Sequence, residues 1–293
     1  MKLRVVHETA YDYDEPVTTS HHEIHISPRD DAAGQVCLEH KIVISPTPAV
    51  MRARSDYFDN RTWYFGIHES HRSLRVVAES VVQMGGSASA LPSPSAPWEQ
   101  VRDRVASDRR RDILRAYGFT FDSPFVHASP ELAELAQPSF PPGRPLVDAV
   151  ADLTARIFSD FTYDPSATQI STPLSDVMKN RRGVCQDFAH LEIGCLRSMG
   201  LPGRYVSGYL LTQPPPGTPR LIGADASHAW ISTFLPDFGW VDFDPANNVQ
   251  PSDKHVVVAH GRDFSDVTPV RGVILGGGRH QLRVSVDVAE MEE

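Results

Sequence analysis

The stretch RRGVCQDFAHLEIGCLRSMG, residues 181–200, predicts a helix of about 15 residues that carries a cysteine in its first turn. Its apolar residues recur at steps of three and four, and Gly200 followed by Leu201-Pro202 is typical of a helix end. Cys185 has two interpretations. Free cysteine is among the most buried residue types, so the thiol is either a small core side chain or a nucleophile at a helix N-terminus. The periodic apolar positions are Phe188, Leu191, Cys195, Leu196 and Met199.

Helices precede this stretch and strands follow it. SPELAELAQ begins with a serine N-cap and a proline at the first helical position, and RPLVDAVADLTARIFSDFTYD has apolar residues at helical spacing. TPLSDVMKNRRG predicts another short helix. Downstream, RYVSGYLLT, HAWISTFL, GWVDFDP, HVVVAHGRDF and QLRVSVDVA are strand-like runs between Pro and Gly turns. This order predicts an α+β domain over residues 129–293, in which the central helix packs on an antiparallel sheet and the last run is a closing strand.

The first part of the chain has a different pattern. Residues 2–83 alternate apolar and polar side chains between turn-forming clusters, which predicts an all-β module, a β-sandwich or similar, over residues 1–85. The Gly-, Ser- and Pro-rich segment GGSASALPSPSAPW begins a linker and helix that we place over residues 86–128. The helix sequence WEQVRDRVASDRRRDILRAYG intersperses opposite charges, which favours a solvated helix face over an anion-binding patch.

Composition makes several classes of function poor candidates. The 293 residues suffice for one large or two ordinary domains, and 41% of them are hydrophobic. A net charge of −9 gives no general attraction to nucleic acid or to an anionic membrane, so we expect neither as a partner. Three cysteines are too few for a disulfide framework, no window reaches the length of a membrane span, and the N-terminus lacks an apolar signal segment. We expect a soluble cytoplasmic protein with reduced thiols.

A nucleophilic Cys185 requires groups that stabilise its thiolate. An ordinary thiol, with a pKa of about 8.5, is mostly protonated at neutral pH, and only the thiolate attacks a carbonyl carbon effectively. The first turn of a helix contributes unpaired N–H groups and a partial positive charge, and a neighbouring imidazolium contributes a full charge. A nucleophilic role therefore calls for a histidine elsewhere in the chain and for a carboxylate that orients it.

The segment SHAWISTFLPDFGWVDFDPANN supplies both groups. His228 opens one strand, residues 236–239 (PDFG) form a turn, and the next strand ends at Asp244. A hairpin brings the start of one strand beside the end of the next, so His228 and Asp244 are predicted to be cross-strand neighbours. Asp242 shares the strand face of Asp244 and is the alternative acid. Trp230 lies two residues after His228 and therefore on the same face of the predicted strand. It either shields the site from water or is a buried structural residue.

The other histidines and cysteines have no comparable sequence context. On a predicted strand the three N-terminal histidines divide between two faces, His21 and His25 against His22, which favours solvated strand residues over a metal site. No cysteine or histidine cluster has zinc-ligand spacing and no loop is typical of an EF-hand, so we expect no metal and no cofactor. We expect no catalytic role for four further residues, which are His190, Cys195, His255 and His260.

These segments resemble the core of a known family. GVCQDFAHLEIGCLRSMGLPGRYVSGY followed by SHAWISTFLPDFGWVDFDPANN is similar to the transglutaminase-like superfamily, in its bacterial cysteine-protease branch. In that family the cysteine that opens the central helix, the histidine of an H-A-W strand and the aspartate of the following D-P strand form a papain-like triad. The resemblance implies that Cys185, His228 and Asp244 are catalytic, and that a papain-like core follows the all-β module. The early β region resembles the N-terminal domain fused to such bacterial cores, and GRDFSDVTPVRGVILGGG resembles the C-terminal segment of the branch.

The residues and the resemblance together predict acyl transfer. The Cys185 thiolate attacks the carbonyl of a peptide or protein side-chain amide, His228 protonates the departing amine, and a thioester passes to water or to an amine. The backbone N–H of Cys185 is the natural oxyanion donor, with Tyr163 and Gln169 as weak candidates for the second. We favour hydrolysis because this branch of the family is peptidase-like. The alternatives are transamidation and a non-enzymatic binding or assembly role for a vestigial core, whose signature would be a broken triad.

Overall fold

A computed structural model describes residues 1–30, 34–85, 94–212 and 227–291. Over these ranges the chain has the predicted α+β class, with two antiparallel sheets, a short parallel ladder and seven α-helices. Most of the predicted linker segment, residues 86–93, lies outside the described residues. No helix in the described ranges is long and apolar enough to cross a membrane.

The N-terminal module is built on one long strand. Its five strands are β1 (Lys2–Ile24), β2 (Gln35–Ser45), β3 (Val50–Ser55), β4 (Arg61–Ile67) and β5 (His71–Met84). The first half of β1 pairs with β5 and its second half with β4, while β2 pairs with β5 and β3 with β4, all within a single antiparallel sheet. Side chains along β1 alternate in burial because successive residues point to opposite faces. The apolar core of the module includes Tyr13, Val17, Ile24, Ile44, Phe65, Ile67, Leu74 and Val76.

Seven helices follow in chain order. They are α1 (Trp98–Ser107), α2 (Arg111–Tyr117), α3 (Pro130–Ala136), α4 (Leu146–Asp160), α5 (Leu174–Asn180), α6 (Cys185–Ser198) and α7 (Phe264–Val267). The predicted cap of α3 is present, since the Ser129 hydroxyl accepts a hydrogen bond from the backbone N–H of Leu132. The arginine-rich segment around α1 and α2 is largely exposed, and Arg104 and Arg110 both pair with Asp237, as expected for a solvated, charge-paired face.

The core consists of α6 packed on a four-stranded antiparallel sheet. Two short strands, β6 (Thr162–Tyr163) and β7 (Arg182–Gly183), form a parallel ladder before α6, and the sheet contains β8 (Gly203–Leu210), β9 (Ser227–Leu235), β10 (Gly239–Phe243) and β11 (His255–Gly261). The sheet order is β10-β9-β8-β11. As predicted, α6 begins at Cys185, and every residue from Asp187 to Arg197 is buried. Burial of one large apolar side chain stabilises a fold by about 1.5–3 kcal/mol, so this helix is a main source of core stability.

The last two strands lie in the N-terminal sheet, which corrects our assignment of them to the core unit of residues 129–293. β12 (Val270–Gly276) pairs with the second half of β1, and β13 (His280–Glu290) pairs with its first half. The physical reason is that β1 can pair with a neighbouring strand along each of its two hydrogen-bonding edges. β5 and β4 cover only one of them, and the other would be an unpaired edge without these two strands. Alternation in QLRVSVDVA predicts a strand, but it carries no information about the partner.

The N-terminal module contacts the core sheet at its edge strand, β11. The side-chain amide of Gln35 accepts from the backbone N–H of Val257 at 2.7 Å and donates to its carbonyl at 2.8 Å. Asn60 makes the same pair of bonds with the backbone of His260, at 2.8 and 2.7 Å. All four amide and peptide groups are buried. Each carboxamide therefore takes the place of a neighbouring strand at an edge that would otherwise be unpaired.

Candidate active site

Cys185 occupies the first turn of α6, where the backbone around it is held by Asp187. The Asp187 Oδ2 atom accepts from the backbone N–H of Val184 at 2.8 Å and from the Thr168 hydroxyl at 2.6 Å. The chain must pass close to this side chain, because a Cβ on Gly183 would lie 2.8 Å from the Asp187 Cβ. The thiol of Cys185 is free and partly buried. It therefore lies at a helix N-terminus, where unpaired N–H groups and the helix dipole favour an anion.

The β6–β7 ladder brings Tyr163 beside this turn. Tyr163 is in register with Gly183, and the backbone N–H of Asp164 donates to the Gly183 carbonyl at 2.9 Å. The Tyr163 ring packs edge-on against Phe188, and 54% of the residue is exposed. Burial and the charge of the nearby Cys185 raise the pKa of Tyr163, so its hydroxyl remains a hydrogen-bond donor at neutral pH. Gln169, the other candidate oxyanion donor, is exposed.

The predicted hairpin is present and brings His228 into contact with both partners. β9 and β10 pair around a turn, and His228 Nε2 donates to Asp244 Oδ2 at 2.7 Å. The Cys185 thiol lies near the same ring, for which Nδ1 is the nitrogen not engaged by Asp244. Burial opposes the imidazolium, but the hydrogen bonds to Asp244 and Cys185 outweigh it and raise the pKa of His228 to about 10. The imidazole is thus hydrogen-bonded to the carboxylate, and the nearby thiol also favours its charged form.

Asp244 is a fully buried carboxylate surrounded by donors. Its Oδ2 atom accepts from His228, from Asn247 Nδ2 at 2.7 Å and from His255 Nε2 at 3.3 Å. Its Oδ1 atom accepts from the backbone N–H of Ala246 at 3.0 Å. Burial favours the neutral acid, but the bonds from His228, His255 and Asn247 hold the pKa of Asp244 well below its usual range. The group is therefore a permanent negative charge at the base of the site.

Asp242, the alternative acid, has other partners. It accepts from the Trp230 indole N–H at 3.1 Å and from the Ser232 hydroxyl. Trp230 is fully buried beside the His228 and His255 rings, at 5.9 and 5.4 Å between ring centroids. The indole is therefore a buried core residue that packs against both imidazoles.

His255 lies in the site although the sequence offered no support for it. Its ring is buried, and its Nδ1 atom accepts from the backbone N–H of Ser252 at 3.2 Å. The ring proton is therefore on Nε2, which donates to Asp244. The ligand atoms of His228, Asp244 and His255 lie within 4.8 Å of one another, a spacing that a metal ion could use. A metal would need the Nε2 lone pair, which this tautomer lacks, so hydrogen bonding accounts for the cluster.

The remaining candidates lie elsewhere. His190 is buried and its Nε2 atom accepts from the backbone N–H of Phe264 at 3.1 Å. Cys195 is fully buried in the core, and burial raises the pKa of its thiol well above the usual range. Our assignment of His21 and His25 to one strand face is wrong, because His25 lies beyond the end of β1 and is buried whereas His21 is exposed.

Comparison with known proteins gives matches to both parts of the chain. Residues 3–83 match the bacterial transglutaminase-like N-terminal region, and residues 134–245, which contain Cys185, His228 and Asp244, match the transglutaminase-like superfamily. An uncharacterized protein of Mycobacterium tuberculosis is 40% identical over 299 residues, which cover 99% of this chain and 93% of that protein.

Two further relatives carry descriptions. The crystal structure of a "putative cysteine protease" from Cytophaga hutchinsonii has the same fold, with a TM-score of 0.76 at 20% identity, covering 100% of this chain and 91% of that one. A protein-glutamine gamma-glutamyltransferase of Pseudomonas aeruginosa is 28% identical over 128 residues, which are 37% of this chain and 19% of that protein.

Proposed function

Because the chain belongs to the transglutaminase-like superfamily, we propose that it is a cysteine-dependent acyl-transfer enzyme that hydrolyses peptide or protein side-chain amides. The observation that carries the proposal is the 2.7 Å hydrogen bond between His228 and Asp244 with the Cys185 thiol near the same imidazole, in the first turn of α6. A thiol, a base and an orienting acid in this arrangement are the parts that nucleophilic acyl transfer needs.

The reaction begins with the thiolate–imidazolium pair. The Cys185 sulfur forms a bond to the amide carbonyl carbon, and the carbonyl electrons move to oxygen. His228 gives its Nδ1 proton to the amine nitrogen as the C–N bond breaks, which leaves a thioester and a neutral imidazole. The imidazole then takes a proton from water, whose oxygen displaces the sulfur and yields a carboxylic acid. Asp244 stays ionised throughout and holds the ring in the productive orientation.

Two donors stabilise the developing oxyanion. The backbone N–H of Cys185 is one of the unpaired donors of the first helical turn. We assign the second to the Tyr163 hydroxyl, since the β6–β7 ladder holds this residue beside Cys185 and its phenol keeps its proton at neutral pH. Loss of one such donor typically costs on the order of 3 kcal/mol of transition-state stabilisation.

Hydrolysis is favoured over transamidation by the full-length structural likeness to a protein described as a cysteine protease. Transamidation is the second candidate, because a protein-glutamine gamma-glutamyltransferase matches 37% of this chain. A binding or assembly role for a vestigial core is disfavoured by the presence of all three groups, with His228 bonded to Asp244 and close to Cys185. We also propose a cytoplasmic location, because three free thiols suit a reducing compartment.

The experiment that tests the function is incubation with a library of peptides and primary amines, with products read by mass. Hydrolysis adds water across the broken amide, whereas transamidation replaces the departing amine with the acceptor amine. We expect hydrolytic products from the wild type and none from Cys185→Ala. Cys195→Ala is the matched control, since it removes a buried thiol outside the site. Turnover that persists in Cys185→Ala would exclude the proposed nucleophile.

The reactivity of the thiol separates an enzyme from a binding scaffold. An activated Cys185 should react fast with iodoacetamide below neutral pH and should lose that reactivity in His228→Ala. Slow alkylation that is the same in both proteins would favour a scaffold.

A further inference from the structure

We propose that His255 is a positioning residue for Asp244 and that the N-terminal module holds His255 in place through β11. The inference rests on the proposed function, because it concerns the carboxylate that orients His228. It assigns the module a part in building the active site.

His255 is restrained on every polar atom of its ring. The backbone N–H of Ser252 occupies Nδ1, so that Nε2 can only donate, and the acceptor at 3.3 Å is Asp244 Oδ2. The ring also stands edge-on to Trp230, with 5.4 Å between ring centroids. The imidazole has little freedom to leave Asp244, and it fills one of three donor positions on the oxygen that also receives His228.

The backbone of β11 is held from outside the core sheet only two residues further along. The Val257 carbonyl accepts from Gln35 Nε2 at 2.8 Å and from the backbone N–H of Arg29 at 3.0 Å. The Val257 N–H donates to Gln35 Oε1 at 2.7 Å. β8 lies on the other side of this edge strand, with His255 opposite Leu210. β11 is thus fixed between β8 and the N-terminal module at the point where it carries His255.

A bulge divides β11 into two parts. The register against β8 shifts between Val257 and Ala259. Beyond the shift, His260 makes its own pair of bonds with Asn60. The two carboxamides therefore provide a matched pair of sites. Gln35 acts on the part of the strand next to His255, and Asn60 acts on the part beyond the bulge.

The test compares the alkylation rate of Cys185 by iodoacetamide in the full-length protein. We expect His255→Leu, which removes the donor, to slow alkylation about tenfold through misplacement of the His228–Asp244 pair. His255→Gln keeps an N–H donor and should restore the rate to within about threefold of the wild type. A role in packing alone would not be rescued in this way. Rates in His255→Leu equal to the wild-type rate would overturn the proposal.

The part played by the module is tested with Gln35→Leu and Asn60→Leu. Both variants lose one bidentate pair with β11 and also bonds within the module, to the Arg29 carbonyl for Gln35 and with Asp56 and Arg29 for Asn60, so both should lower the melting temperature. Only Gln35→Leu should slow alkylation. Equal rates in the two variants would refute the link through Val257. If His255→Leu fails to fold, this comparison still tests whether the N-terminal module acts on the active site through β11. Failure of the proposed function would give a different result, because Cys185 of the wild type would then be alkylated as slowly as Cys185 of His228→Ala.

Discussion

Replacement of Asp244 by asparagine should abolish the elevated pKa of His228 and with it the reactive state of Cys185. The carboxylate is fully buried, and its Oδ2 atom accepts from His228, Asn247 and His255. Asparagine has the same shape, but it must turn its NH2 group either toward these three donors or toward the backbone N–H of Ala246. Neither orientation satisfies both sets of donors, and both lack the negative charge.

The size of the effect follows from the environment of His228. Burial alone would lower its pKa, yet hydrogen bonds to Asp244 and Cys185 raise it from 6.5 to about 10. One pKa unit corresponds to about 1.36 kcal/mol, so the charged ring is favoured by roughly 5 kcal/mol. The bond to Asp244 is the largest favourable contribution. Without it, the contribution of Cys185 remains but burial still favours the neutral ring, so the pKa of His228 should fall well below 10. We expect a loss of activity on the order of 10³-fold or more.

Two measurements check this expectation. The ring carbon shifts of His228, followed by NMR, should titrate near pH 10 in the wild type and at least two to three units lower in Asp244→Asn. Because the folded pKa is raised, the stability that the imidazolium contributes is present below pH 6.5 and is lost as pH rises through about 10. The alkylation rate of Cys185 at neutral pH should fall in the same variant.

The matched control is Asp242→Asn. It changes the β10 carboxylate two residues before Asp244, whose partners are Trp230 and Ser232, and it should leave the titration of His228 near pH 10. A ring that still titrates near pH 10 in Asp244→Asn would refute the reasoning, because the charge that holds its proton would then have another source.

Three further outcomes are expected. Burial raises the pKa of Glu192 to about 8, so ionisation of its carboxyl in the unfolded chain destabilises the wild type as pH rises from 4.5 to about 8. Glu192→Gln should remove this pH dependence, with a gain of at most about 5 kcal/mol in denaturant titrations above pH 8. Gly208→Ala should lower the free energy of unfolding by at least about 1–3 kcal/mol in the same assay, because the new Cβ would lie 2.4 Å from the Trp230 ring. An unchanged free energy of unfolding would contradict that contact. Tyr163→Phe should lower kcat about 10²-fold with little change in KM if the hydroxyl is the second oxyanion donor, and an unchanged kcat would exclude it.

The features that the sequence predicted well depend on short-range geometry. Helical spacing behind Cys185 predicts α6, and the helix begins at that residue. The turn between β9 and β10 is short, so the two strands pair as a hairpin and His228 meets Asp244. Both inferences need only the periodicity of one element or the pairing of two adjacent strands.

The features that the sequence missed depend on strands that are distant in the chain. His255 opens a strand whose position in the sheet follows from the order β10-β9-β8-β11, and that order is not visible in local periodicity. The strand pattern alone also left Asp242 open as an alternative to Asp244, and side-chain contacts within the hairpin separate the two. The two residues share a strand face, and the indole N–H of Trp230 takes Asp242 while the imidazole of His228 takes Asp244.

Pairing between strands that are distant in the chain also explains why the boundary between the N-terminal module and the core cannot be read from the order of segments in the sequence. β1 pairs on one side with β5 and β4, which follow it closely in sequence, and on the other side with β12 and β13. The helices and the core sheet therefore lie, in sequence, between two parts of one sheet. Residues 129–293 contain two strands whose partner lies outside them, and a further contact from the module reaches the edge strand that carries His255. The N-terminal module and the core are thus joined through the shared sheet and at β11, and the contact at β11 lies two residues from His255.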